Sequence, residues 1–183
     1  HLMLDSVNVV DIPVSYAPPY GPPIEFRITY NQREHEPTTQ MGYGYGHLGP
    51  NWTHDYFTFI EDHGAAGARS TILRRSAGGG WMNHSGYDSG TGLYAIDRFG
   101  GVLQYFAPSG GADDRYELSF GDGSKLVYSA PHNINAGTRR LFLKKIVDPA
   151  GNSVEIFYQS PGKIDHINDA LGQSTTFYYD TTA

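Results

Sequence analysis

The chain has 183 residues and a net charge of −6, with only 17 % charged residues, enough length for one domain with a buried core. No cysteine is present, which excludes a disulfide framework, thiolate chemistry and a cysteine-ligated metal. No run of about 18 apolar residues is available to form a membrane-spanning helix.

In chain order, His1-Leu2-Met3 reads as a cloning remnant, so the chain is expected to be a fragment whose own start and any export signal lie elsewhere. Residues 1–64 hold only Arg27 and Arg33 against eight acids, while the rest carries eleven charges of each sign. No basic stripe exists beyond the doublets Arg74-Arg75, Arg139-Arg140 and Lys144-Lys145, which argues against a nucleic-acid partner. "YAPPYGPPI" (16–24) is confined to extended and turned conformations, because proline fixes φ and lacks a donor. "PIEFRITY" (23–30) alternates Ile24, Phe26, Ile28 and Tyr30 with polar residues, the period of a half-buried strand. "QMGYGYGHLGP" (40–50) reads as a Gly/Tyr loop. "WTHDYFTFIED" (52–62) is apolar on both parities and predicts a strand covered on two faces.

From about residue 90 the chain becomes a series of hairpin signals. "YELSFGDGSKLVY" (116–128) places Leu118 and Phe120 before an Asp122-Gly123 turn and Leu126 and Tyr128 after it. "DRFGG", "DPAG" and "DALG" are turns opened by aspartate and closed by glycine. The last two stand 21 positions apart, and in that register Asp148 matches Asp169, Gly151 matches Gly172, Ser153 matches Ser174 and Tyr158 matches Tyr179. Val154, Ile156 and Tyr158, then Thr175, Phe177 and Tyr179, share a face. Such a unit is too small to bury its own face and gains stability by stacking. Looser copies start at Asp97 and Asp122. The prediction is an all-β fold with little or no helix: an antiparallel hairpin-repeat sheet, as a twisted strip or an open barrel-like segment. It divides into an N-terminal β module over 1–92 and a repeat segment over 93–183, forming one continuous unit.

Few residues suggest chemistry. His47, His54 and His63 accompany Asp55 and Asp62, yet no two histidines have the i, i+2 spacing that would put both on one strand face, and no HExxH-type helix is present, so no metal site or cofactor is assigned. Glu61-Asp62 and Asp113-Asp114 are adjacent carboxylates, which point to opposite faces of a strand. No nucleophile elbow is present, and Asp148 and Asp169 read as turn initiators whose side chains bond the backbone. No catalytic residue is assigned. Tyr43, Tyr45 and Trp52, near Gly-rich loops, offer a platform for stacking sugars and carry the alternative reading, a carbohydrate-binding surface module. The repeat tyrosines Tyr128, Tyr158 and Tyr179 are expected to form a cross-strand ladder.

The stretch "GKIDHINDALGQSTTFYYD" (162–180), ending on Tyr179-Asp180, resembles the Rhs/YD-repeat family, as does "LKKIVDPAGNSVEIFYQ" with Gln159 in place of the final aspartate. "IPVSYAPPYGPPIEFRITYNQRE" (12–34) and "HLGPNWTHDYFTFIED" (47–62) are similar to the module that precedes the repeats in large bacterial Rhs-type proteins. The resemblance implies a non-catalytic segment of a secreted or cell-surface β-shell that encloses a C-terminal toxin or effector. Its partner is then the remainder of the parent chain, with self-association through unpaired sheet edges also expected. Residues 64–92 and 129–139 match nothing in that family.

Overall fold

The computed structural model describes residues 7–32, 48, 51–62, 69, 71–110, 113–135 and 138–179. Among them the fold is all-β and antiparallel, with no helix. The strands are β1 (Asn8–Tyr16), β2 (Ile24–Asn31), β3 (Trp52–His54), β4 (Phe59–Asp62), β5 (Thr71–Arg75), β6 (Trp81–Ser85), β7 (Val102–Phe106), β8 (Arg115–Ser119), β9 (Lys125–Asn135), β10 (Thr138–Val147), β11 (Ser153–Ser160), β12 (Lys163–Asn168) and β13 (Ser174–Thr176).

The sheet containing β4–β10 rolls into a nearly closed barrel in the order β6-β5-β4-β10-β9-β8-β7. The remaining gap is spanned by residues 92–95. Ala95 N–H donates to the Ser85 carbonyl at 2.9 Å on the β6 side, while Tyr94 N–H donates to Leu103 and Tyr105 N–H to Gly92 on the β7 side, at 2.9 and 2.8 Å. Alternation then decides the interior: Ile60, Ile72, Leu103, Tyr116, Leu118, Tyr128 and Leu141 are all buried and point inward. A barrel of this strand number is just wide enough for side chains to fill it. On the outer face Phe59 and Phe142, paired in register, pack with Phe57 into a second cluster under the Arg140 guanidinium, 4.5 Å above the Phe59 ring.

The turns follow one rule. At Ser76, Asp97, Phe120, Asp148 and Asp169, the N–H of the first residue donates to the carbonyl four positions on, and the N–H of the fourth residue, a glycine, donates back to the first carbonyl. This is a type I turn closed by a left-handed residue, and glycine fills that place with φ between 81° and 104°. Asp97 and Asp169 each take two backbone N–H groups of their own turn on Oδ1, as expected of turn initiators. In the third copy Phe120, not Asp122, holds the first position. Asp122 sits two residues later and caps Ser124 instead.

β10 is the junction of the molecule. One edge pairs with β9 along its length; the other pairs with β4 over Arg139–Phe142 and with β11 over Lys145–Val147. At the fork between them the Leu143 N–H donates to Thr58 at 3.1 Å and the Leu143 carbonyl accepts the Tyr158 hydroxyl at 2.6 Å. From this fork β11, β12 and β13 leave the barrel as a strip. The apolar alternation of β2 holds as expected at Ile24 and Phe26, both buried, and these join Val154, Ile156, Ile164 and Ile167 in one core. The repeat face is therefore filled by the first sheet, β1-β2-β3. The stretch 52–62 is two strands in two sheets rather than one. Residues 55–58 cross between layers, with Tyr56 and Phe57 buried in different clusters, which is why both parities are apolar.

Gly21 fixes how the proline loop seats on the strip. A Cβ there would stand 2.5 Å from the Ala170 Cβ at φ +88, whereas one at Gly151, φ +91, would meet nothing within 4 Å. Gly21→Ala is expected to lower the melting temperature more than Gly151→Ala, since both carry backbone strain of about 1–2 kcal/mol but only the first also clashes. Equal losses in a thermal melt would mean that the loop does not seat there.

Candidate functional site: the repeat strip and its open edge

The 21-residue repeat in sequence is also a repeat in strand pairing. Lys145↔Glu155, Ile146↔Val154 and Val147↔Ser153 pair β10 with β11, and His166↔Thr176, Ile167↔Thr175 and Asn168↔Ser174 pair β12 with β13 in the same register. The tyrosines of the two strict copies reach the backbone 15 residues earlier, Tyr158 donating to Leu143 and Tyr179 to Ile164 at 2.9 Å. Those two are backbone clamps; of the three tyrosines expected to form a cross-strand ladder Tyr128 alone does so, inside the barrel in register with Tyr116, which pairs in turn with Tyr105. Burial raises the Tyr158 and Tyr179 hydroxyls above the ordinary phenol range, so both remain protonated donors. Asp148, Gly151, Asp169 and Gly172 all occupy the turns assigned to them, while Asp180 lies outside the described residues.

The strip ends on β13, which pairs with β12 on one side. Beside it runs a groove of about 500 Å³ whose walls include Phe26, His54, Lys163, Phe177, Tyr178 and Tyr179. Phe26 stacks on His54 at 5.0 Å and tilts against Phe177 at 4.8 Å; Tyr178 is 92 % exposed. Trp52 is elsewhere, half-buried against its cross-strand partner Tyr30 at 5.4 Å. Tyr43 and Tyr45 lie outside the described residues, as do His47 and His63. Among the described residues no group of three His, Asp or Glu side chains converges as a metal site would require.

A strongly charged centre lies inside the barrel. Asp62, fully buried, accepts Arg139 Nε at 2.8 Å and Nη2 at 2.9 Å, along with the Tyr116 hydroxyl at 2.8 Å. Asp114 binds the same guanidinium, and Tyr105 donates to it at 3.2 Å while receiving Arg69 at 3.1 Å. Hydrogen bonding to Asp62 raises the Arg139 pKa further above its already high range against the opposing effect of burial, and burial followed by Asp62 raises Tyr116. Two carboxylates committed to one guanidinium hold strands together and are not poised as an acid–base pair. The signal for this centre was a complementary pair of doublets: Glu61-Asp62 runs antiparallel to Arg139-Arg140, so that Asp62 meets Arg139 inside and Glu61 meets Arg140 outside at 2.9 Å.

Compared with known proteins, the chain matches no family model and no curated sequence.

Proposed function

We propose that this chain is a non-catalytic structural segment in which a side-chain-filled barrel anchors a strip of stacked hairpins, the beginning of a wall that further repeats extend. The observation that carries this reading is the identical register of the two copies, which runs out to β13, paired on one side only among the described residues. A unit whose register repeats offers each added hairpin the same pairing surface, and an unpaired ladder seeks a partner. The resemblance to Rhs/YD repeats supplies the larger role: a secreted or cell-surface bacterial shell around a C-terminal cargo, with the parent chain as partner. The filled barrel leaves no room for cargo, so enclosure belongs to the wall beyond the strip.

The test is a chain with a further copy of residues 161–181 inserted after Thr181. β13, now three residues, is expected to lengthen toward the eight of β11, with hydrogen-exchange protection appearing across 174–181 and the melting temperature maintained or raised. An inserted copy that stays exchange-labile and protease-sensitive would remove the basis for the wall.

A further inference from the structure

Two arginines that point into the barrel are held differently. Arg139 meets two carboxylates, but Arg74 of β5, only 8 % exposed, has no carboxylate partner among the described residues. Its Nε donates to His84 Nε2 at 3.4 Å and its Nη2 lies 3.4 Å from Met82 Sδ. His84 brings no compensating charge, because burial and then the Arg74 cation hold its imidazole down to about 4. A buried cation lacking a counter-ion is costly.

Arg74 lines a cavity of about 250 Å³ at the barrel end that the first sheet covers, walled by Leu126, Leu143 and Ile146 and bordered by Glu25 and Asp55. The two acids already share Arg27, which lies 3.5 Å from Asp55 and closer to Glu25. We propose that this cavity binds a small aliphatic monocarboxylate, with its carboxylate on the Arg74 guanidinium and its tail against Leu126, Leu143 and Ile146. The fork of an arginine matches the two oxygens of a carboxylate. At roughly 30 Å³ per water-sized volume, the space admits a ligand of about eight heavy atoms. Glu25 and Asp55 oppose a second negative charge, which selects a monoanion over a dianion, and the apolar walls disfavour inorganic phosphate. This site is independent of the structural role proposed above.

Calorimetric titration of the intact chain with 4-methylpentanoate tests it, with 4-methylpentan-1-ol and glutarate as comparators. Saturable binding with a Kd near or below about 1 mM is expected, with the alcohol and the dianion weaker by about tenfold or more. Arg74→Met should abolish the binding. Because that variant removes a core side chain, Ala77→Trp provides a second reading: Ala77 is an exposed turn residue on the cavity wall, and a bulky ring there should obstruct entry with Arg74 intact. The proposal is overturned by no saturable binding to the intact chain, by equal binding of the alcohol, or by undiminished binding in a folded Arg74→Met protein. If Arg74→Met does not fold, Ala77→Trp decides: loss of binding supports the site and undiminished binding rejects it.

Discussion

Replacing Gly92 by alanine is expected to open the barrel. A Cβ at this position would stand 2.4 Å from the Tyr105 carbonyl oxygen at φ +75, and the obstructing atom is backbone, held in the ladder that closes the gap between β6 and β7. Left-handed strain costs about 1–3 kcal/mol by itself, and the clash adds to it because neither side can rotate away. Gly100→Ala is the matched control, since its φ is +81 with nothing within 4 Å of a Cβ. Hydrogen exchange at the Tyr94, Ala95 and Tyr105 amides should accelerate in Gly92→Ala and change little in Gly100→Ala. Unchanged protection at Ala95 and Tyr105 would mean that closure does not run through residue 92.

The second large effect is expected from Arg139→Met. Methionine preserves much of the volume but removes the guanidinium that Asp62, fully buried, and Asp114, 8 % exposed, share. Removing one partner of a buried ionic group costs about 3–5 kcal/mol, which for a chain of this size lowers the melting temperature by roughly 6–20 °C. The triple variant Asp62→Asn/Asp114→Asn/Arg139→Met removes all three charges and should lose less than the single variant, because the destabilisation comes from uncompensated charge. A triple variant that loses as much as Arg139→Met would assign the effect to packing.

The strip was legible in the sequence because its information is local. Asp148 and Gly151 specify a turn within four residues, and Val154 and Ile156 specify a face by simple alternation. A barrel-like sheet was among the forms expected, but its closure was not legible, because closure depends on pairs such as Asp62 and Arg139, 77 residues apart, and on the short bridge at 92–95, which carries no period at all. Residues 64–92 and 129–139 matched nothing, yet they supply β5, β6 and much of β9, so the barrel draws strands from both sides of residue 92. Phe120 shows a subtler limit: the turn is defined by its hydrogen bonds and its glycine, and the aspartate that usually marks it had moved two places along. The arginine cavity escaped notice for the opposite reason. Arg74-Arg75 is one of three basic doublets in the sequence, and nothing local shows that the pleat turns Arg74 into the barrel and Arg75 onto its outer face beside Phe57.

The shared register of β10/β11 and β12/β13 also bears on descent. A tandem duplication of one 21-residue block, with divergence at positions such as Asn152 and Gln173, would give two copies in this register. The same event inside the barrel would shift Arg139 away from Asp62 or push Tyr105 off Gly92. A block added beyond β13 would keep the pairing register, whereas one inserted between barrel strands would break the closure.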